Sequence, residues 1–198
     1  MKKLLLGIIL LAAQTGSAQL LDSLSLDTVR VYESIRAANR QPADVIKLVL
    51  KKKKLTEFPE DIRKYTHLQY LDLSKNRLKT LPAWIGELKS LQTLILSRNN
   101  IDSLPPEIGE LSHLEYLIMN RTDLVALPPE IGELRKLRYM DLWDDNIGSF
   151  PSELGNLVNL KWLDLRDILI SDDEQQLLKS YLPRTHIFFS PDCQCEQE

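Results

Sequence analysis

The sequence repeats itself every 23 residues, and this period limits what the chain can fold into. The phrase LPPEIGEL occurs at 104–111 and again at 127–134, and a near copy, LPAWIGEL, occurs at 81–88. Alignment gives five full units and a sixth, incomplete one, which start at Val45, Leu68, Leu91, Leu114, Leu137 and Leu160. Such repetition indicates a stack of similar coils, in which each coil buries its apolar side against the next.

Within a unit, apolar residues fall at positions 1, 4, 6, 11, 14, 18 and 21, counted from its first residue. In the third unit they are Leu91, Leu94, Leu96, Ile101, Leu104, Ile108 and Leu111. Positions 4 and 6 alternate as in a strand with one buried face. Proline at position 15, for example Pro105, cannot donate to a ladder, so the return leg of the coil is not a strand. Glycine at position 19, for example Gly109, suggests a backbone angle that other residues adopt only at a cost.

Residues 45–170 follow the pattern LxxLxLxxNxLxxLPxxIGxL, although the first unit lacks the IGxL ending. In this pattern the chain resembles the leucine-rich repeat family, in the subclass found in bacterial repeat proteins. The resemblance implies an α/β fold, a curved leucine-rich-repeat solenoid. It further implies a parallel β-sheet on the concave face, short irregular or 3-10 segments on the convex side, and use of the concave face for protein binding.

Position 9 of the pattern is normally Asn, whose amide can both donate to and accept from the backbone of the coil turn. Asn76 and Asn99 follow this rule, whereas Thr122 and Asp145 depart from it inside the repeat. We expect these two residues to weaken their turns slightly.

Both ends of the repeat region carry sequences that predict caps. The segment TVRVYESIRAAN at 28–39 has the periodicity of an amphipathic helix, which would cover the first coil. At the other end, SDDE at 171–174 matches a capping box. It predicts a helix to about Tyr181, followed by an edge strand HIFF at 186–189. The expected division is a linker and capping helix over 19–44, repeats over 45–170, a C-terminal cap over 171–190 and a disordered tail over 191–198.

The first 18 residues have the layout of a secretory signal peptide. Lys2 and Lys3 precede an apolar run over 4–13, and Gly16 and Ala18 are the small residues before a predicted cut at Gln19. The alternative is an uncleaved anchor, but the run is short of the roughly 20 residues that span a bilayer. The predicted location is therefore secreted or periplasmic, with no stable membrane insertion after cleavage.

Charge and cysteine usage narrow the partner classes. The full chain has a net charge of −3, and loss of residues 1–18, which carry two lysines and no acids, makes it −5. An acidic protein is a poor candidate for nucleic acid, so no nucleic-acid partner is expected. Cys193 and Cys195 lie in the last six residues, where they can pair with each other, pair with another chain or remain free thiols. Two ligands are too few for a zinc site.

Positions 3, 5, 7 and 8 of each unit are predicted to point into the concave face. Aromatic side chains recur there, beside a row at position 8 that is basic for four units and then acidic for two. Tyr, Trp and Arg are enriched at binding hot spots. The candidate partner-binding residues are Tyr70, Arg98, Tyr116, Arg121, Tyr139, Trp143, Asp144, Trp162 and Asp167. The alternative is a solvated face built from ordinary strand residues.

No arrangement of residues typical of catalysis stands out. His67 and His113 are two coils apart and cannot share a metal, and the sequence has no phosphate loop. We therefore expect a non-enzymatic protein-binding module without cofactor or metal. The alternative is a glycan-binding or glycan-processing envelope protein with a shallow site on the same face.

Overall fold

The computed structural model describes residues 20–190. Its strands are β1 Val31–Tyr32, β2 Lys47–Val49, β3 Tyr70–Asp72, β4 Thr93–Ile95, β5 Tyr116–Ile118, β6 Tyr139–Asp141, β7 Trp162–Leu165 and β8 His186–Phe189. Its α-helices are α1 Ser23–Thr28, α2 Ile35–Ala38 and α3 Asp172–Tyr181. Six 3-10 helices span Pro42–Asp44, Glu60–Lys64, Ala83–Glu87, Pro106–Glu110, Pro129–Glu133 and Ser152–Asn156.

All eight strands belong to one parallel sheet, in the order of the sequence from β1 to β8. From β2 to β7 each strand pairs with the next at the same position of the unit, so that Leu71 lies beside Leu94 and Leu94 beside Leu117. The sheet forms one side of the molecule and the 3-10 helices form the other. This is the stack of coils that the 23-residue period predicts, with the parallel sheet that the resemblance implies.

The core lies between the sheet and the 3-10 helices. All seven apolar positions of the third unit are buried, and only Leu104 among them is exposed by more than a few per cent, at 7%. The predicted alternation is confirmed, because Leu94 and Leu96 are fully buried while Ile95 between them is partly exposed. The prolines at position 15 also behave as predicted. Pro105, for example, is extended and precedes the 3-10 helix Pro106–Glu110, so no strand forms on the return leg.

The glycines at position 19 serve a different purpose from the one predicted. None of them adopts a left-handed backbone angle. A Cβ atom on Gly109 would instead lie within 3.0 Å of both the carbonyl oxygen and the Cβ atom of Glu130 in the next coil. A Cβ atom on Gly86 would lie 2.8 Å from the carbonyl oxygen of Glu107. At Gly86, Gly109 and Gly132 glycine is required because adjacent coils approach each other through bare backbone.

The N-terminal cap also differs from the prediction. The segment 28–39 is not one helix, because β1 interrupts it and pairs with β2, with Tyr32 beside Leu48. The open edge of the first coil has unpaired backbone groups, and a strand satisfies them whereas a helix would not. Tyr32 is buried in the core, and the helix α2 that follows has only four residues, with Ser34 as its N-cap.

The C-terminal cap forms as predicted, as helix α3 followed by strand β8. The Ser171 hydroxyl accepts a hydrogen bond from the Glu174 N–H at 3.3 Å, which is one half of the capping box. The Glu174 carboxylate accepts from the Phe150 N–H at 3.3 Å, so it bonds to the last full coil rather than to its own helix. No helix within residues 20–190 is long and apolar enough to span a bilayer.

The asparagine side chain at position 9 both accepts and donates hydrogen bonds. The Asn76 Oδ1 accepts from the N–H groups of Lys53 at 2.9 Å and Leu55 at 3.1 Å. Its Nδ2 donates to the carbonyl oxygens of Leu50 at 2.9 Å and Leu73 at 2.7 Å. One side chain therefore joins two consecutive coils at the turn that follows the strand.

Asp145 cannot reproduce this pattern. Its Oδ1 accepts from the N–H of Thr122 at 2.6 Å and from the Thr122 hydroxyl at 2.8 Å. Its Oδ2 is buried and has no hydrogen-bond partner among the described residues. Burial raises the pKa of this carboxyl group to about 7, even though the bonds from Thr122 act in the opposite direction. The departure from asparagine therefore leaves a poorly solvated acid inside the fold.

Candidate functional site

The concave face is the side of the sheet that faces away from the core. It carries the side chains at positions 3, 5 and 7, and position 8 follows in a left-handed backbone conformation with φ between 57° and 60°. The residues at position 8 are Lys52, Lys75, Arg98, Arg121, Asp144 and Asp167. Their N–H groups still bond to the next coil, for example Lys75 to the Ser97 carbonyl at 2.8 Å. The position 8 side chains therefore form a column along one edge of this face.

Four of the predicted binding residues lie together at the C-terminal half of this edge. The Arg121 guanidinium lies over the Trp143 ring, 4.3 Å from its centroid, and its Nε donates to the Asp144 carboxylate at 3.0 Å. The Trp143 Nε1 donates to the Asp167 carboxylate at 2.6 Å. These residues satisfy one another, so their charges are not free for a partner in the way that the sequence predicts.

The acids at position 5 are also paired within the molecule. Asp164 accepts two bonds from the Arg166 guanidinium, at 2.9 and 2.6 Å. Asp141 accepts from the Asn120 Nδ2 at 2.5 Å and from the Trp143 N–H at 3.1 Å. Burial raises the pKa of Asp141, and the hydrogen bond from Asn120 acts against that shift. The C-terminal half of the concave face is thus a network of internally bonded polar groups.

The centre of the face is apolar. Ile95 and Ile118 stand at position 5 of the third and fourth units, where the second unit has Asp72, and both are partly exposed. Tyr116, at position 3 beside Ile118, is also partly exposed. The two isoleucines are not among the predicted binding residues, although the change from Asp to Ile at position 5 is visible in the sequence. With the predicted residues Tyr116 and Tyr139 they form a floor, here called the apolar floor.

The two outermost predicted aromatics differ in their accessibility. Trp162 is 43% exposed. Tyr70 is partly covered, because the Lys47 ammonium lies 4.5 Å from its ring centroid and is itself held by Asp27 at 3.5 Å and by the Leu26 carbonyl at 3.2 Å. Burial is the main cause of the raised pKa of Tyr70. The segment around α1 therefore limits access to the first coils from the position 3 side.

Cations occupy the N-terminal half of the position 8 edge, and Lys51 at position 7 of the first unit adjoins them. We call Lys51, Lys52, Lys75 and Arg98 the basic edge, since none of them forms an ion pair with another residue of the described part of the chain. The pKa of Lys75 is lowered, first by Arg98 and then by Lys52, because like charges disfavour its protonated form. Of the two predicted arginines, Arg98 therefore lies among other cations, whereas Arg121 is paired with Asp144.

The convex side carries two columns of glutamates, which the sequence analysis interpreted as solubility charges. One column is paired with cations: Arg63 with Glu87, and Lys89 with Glu110 at 2.7 Å. Exposed pairs of this kind contribute little to stability. The other column is Glu107, Glu130 and Glu153, and no ion pair involves it within residues 20–190.

The histidines of the repeat have structural contacts. The His67 Nδ1 lies 2.9 Å from the Ala43 carbonyl oxygen and joins the first coil to the N-terminal cap. The His113 Nδ1 lies 2.9 Å from the Lys89 carbonyl oxygen and joins its coil to the preceding one. Within residues 20–190 there is no cluster of three or more His, Cys, Asp or Glu side chains suited to a metal ion. Cys193 and Cys195, like the predicted signal peptide, lie outside the described residues.

Comparisons with known proteins agree with this geometry. A family model for a leucine-rich repeat region matches residues 44–165. A search of curated proteins finds no match. Among solved structures, a leucine-rich-repeat protein of Leptospira interrogans is 39% identical, with a TM-score of 0.67 over 69% of this chain and 35% of its own.

Two plant structures are also similar. A peptide hormone receptor, RGFR1, solved in complex with RGF2, is 35% identical, with a TM-score of 0.60 over 72% of this chain and 24% of its own. A chain of the BIR3–SERK2 complex from Arabidopsis thaliana is 30% identical, with a TM-score of 0.53 over 72% of this chain and 74% of its own. The chain thus spans about a third of the Leptospira protein and about a quarter of the receptor.

Proposed function

The chain belongs to the leucine-rich repeat family, and from this premise we propose that it is an exported binding module, not an enzyme, that holds a protein or peptide partner on its concave face. The observation that carries this proposal is the apolar floor of Ile95, Tyr116, Ile118 and Tyr139. Partly exposed aromatic and aliphatic side chains, surrounded by polar groups, are the usual anatomy of an interface centre.

Two of the similar structures support a role in protein interaction. The plant receptor was solved with its peptide RGF2, and the Arabidopsis structure is a complex of BIR3 and SERK2. A parallel sheet with a partly apolar open face offers a partner a rigid surface, which lowers the entropic cost of binding. The proposed partner is therefore a protein or peptide, of unknown identity.

Export rests on the sequence of residues 1–18, with its two lysines, short apolar run and small residues before the cut. We expect the mature protein to be secreted or periplasmic and to begin at Gln19. Mass spectrometry of the exported protein checks this expectation, and a product that retains Met1 would contradict it.

The concave face is tested by a matched pair of double variants. Tyr116→Ala with Ile118→Ala removes half of the apolar floor, whereas Glu107→Ala with Glu130→Ala alters the convex side. A partner is first identified by cross-linking to the wild-type protein, and its affinity for each variant is then measured by calorimetry. We expect the concave variant to lose at least about 2 kcal/mol of binding free energy, as anchors at an interface centre do.

The convex variant is expected to bind like the wild type, because exposed charges at a distance mainly affect association rates. Trp143 is avoided in this test, since its removal would also release Arg121 and Asp167 from their contacts. Loss of affinity in the convex variant with full affinity in the concave one would place the interface elsewhere. Circular dichroism of both variants controls for folding.

A further inference from the structure

Within residues 20–190, charged side chains along the position 8 edge have ion-pair or hydrogen-bond partners in the C-terminal half of the molecule only. In the C-terminal half, Arg121 is paired with Asp144, and Asp167 accepts from Trp143. In the N-terminal half, the basic edge of Lys51, Lys52, Lys75 and Arg98 has no acidic counterpart among the described residues. A protein whose mature form has an expected net charge of −5 thus carries a group of unpaired positive charges at one place on its surface.

The basic edge is held in place by the backbone. The N–H of Lys52 donates to the Ser74 carbonyl at 3.1 Å, and that of Lys75 to the Ser97 carbonyl at 2.8 Å. Adjacent strands of a sheet lie about 4.8 Å apart, so the three position 8 cations of the first three units span roughly 10 Å. The edge is a short row of cations on a rigid support rather than a set of charges on a loose loop.

The apolar floor adjoins the basic edge. Ile95 and Arg98 belong to the same coil, three residues apart, and Ile118 lies beside Ile95 in the next strand. A ligand that reaches both features needs carboxylates on one side and apolar side chains on the other. An extended polypeptide provides this arrangement, because successive side chains of a strand point in opposite directions.

Building on the proposed function, we propose that the concave face binds an extended acidic segment of a partner protein. Its carboxylates would contact Lys75, Arg98 and their neighbours on the basic edge, and its apolar side chains would pack on Ile95 and Ile118. Complementary charge of this kind sets orientation and accelerates association.

Two other occupants fit less well. An anionic polysaccharide would engage the basic edge but would leave the isoleucines of the floor without apolar partners. A second copy of this chain would have to offer Asp144 and Asp167 to the basic edge, and these are already bonded to Arg121 and Trp143 in their own molecule. Both occupants become outcomes of the experiment.

The experiment uses the full chain and two synthetic peptides of equal length, in which Glu or Lys alternates with Ile. The test variant is Lys75→Asp with Arg98→Asp, which suits the left-handed backbone because Asp already occupies position 8 at 144 and 167. The control variant is Lys136→Asp with Arg184→Asp, which makes the same change of net charge at exposed sites elsewhere. Fluorescence anisotropy gives the affinities at low and moderate salt.

We expect the glutamate peptide to bind and the lysine peptide not to bind. The test variant should lose about tenfold or more in affinity for the glutamate peptide, and the control variant should lose little. Added salt should weaken wild-type binding and have less effect on the test variant. Equal binding of both peptides, or an unchanged affinity in the test variant, would overturn the proposal.

Further measurements separate the remaining occupants and the proposed function. The wild type could instead bind heparin but not the glutamate peptide, and the test variant could lose heparin binding. That result would overturn the proposal in favour of a polysaccharide. A dimer in analytical ultracentrifugation that dissociates in the test variant would overturn it in favour of a second copy. If the apolar-floor variant loses its identified partner but the Lys75 and Arg98 variant does not, the inference fails and the proposed function stands.

Discussion

Replacement of Leu94 by alanine is expected to lower the free energy of unfolding by about 2–5 kcal/mol. Leu94 is fully buried at the centre of the sheet, between Leu71 and Leu117 of the neighbouring coils. Its removal leaves a cavity that three coils share, and a rigid stack relaxes only partly around it. Urea denaturation measures the loss, and the midpoint and slope must be fitted together.

The matched control is Leu169→Ala, because the same side chain is lost at a fully exposed site. Its expected effect is within about 0.5 kcal/mol. Since each coil depends on its neighbours, Leu94→Ala should also speed hydrogen exchange in strands β3 and β5, not only in β4. A change in unfolding free energy as small as that of the control would contradict the assignment of position 4 to the core.

Asp145→Asn is expected to stabilise the protein at about pH 8 by roughly 3–5 kcal/mol. An asparagine keeps the acceptor that Thr122 uses and replaces the buried, unbonded Oδ2 by a donor. Asn99, at the same position two units earlier, donates through its Nδ2 to the Leu73 and Leu96 carbonyls at 3.1 and 2.6 Å. The repeat gives the new amide the equivalent carbonyls.

The pH dependence of this effect has a definite sign. The pKa of Asp145 is about 7 in the folded protein, above the value of about 3.9 of an exposed aspartate. Between these values the folded state binds more protons than the unfolded state, so stability falls as pH rises and the cost of the charge is complete above pH 7. At about pH 4 the advantage of Asn should largely vanish.

Thermal or urea unfolding of both proteins across this pH range is the measurement. All other groups titrate in both proteins. The difference between their free energies of unfolding at each pH therefore isolates the contribution of Asp145. Leu169→Ala serves again as a control, and its stability should follow that of the wild type at every pH. A difference that stays constant from about pH 4 to pH 8 would show that Asp145 does not carry a raised pKa.

The sequence was sufficient for the repeating part of the fold. The positions of the buried residues, the prolines, the terminal helix and the last strand all follow from local patterns, because burial and backbone freedom depend on residue type and spacing. The cap at 28–39 did not follow, since the decisive factor there is the unpaired edge of the first coil. That edge belongs to another part of the chain and favours a strand at Val31–Tyr32.

Contacts between coils explain the other differences. From the sequence, Gly109 suggests only conformational freedom. In the structure, the Glu130 carbonyl oxygen of the next coil lies where a Cβ atom on Gly109 would be. In the same way, the position 8 column, basic for four units and then acidic for two, suggests separate groups of cations and acids for a partner. Residues 23 positions apart are neighbours in space, however, so Arg121 forms an ion pair with Asp144 and Trp143 donates to Asp167 within the molecule. Ile95 and Ile118 stand where Asp72 and Asp141 occur in other units, and this difference is visible in the sequence.

The constant register of the sheet has a consequence for heredity. Equivalent residues of consecutive coils lie side by side. If one complete unit is removed between equivalent positions, the remaining coils can therefore join with the same register. The identical amino-acid segments 104–111 and 127–134 mark one such pair of equivalent positions. Recombination between them would delete or duplicate one coil and leave both caps intact. The length of the binding surface can therefore change in a single genetic step, while the fold that supports it is inherited unchanged.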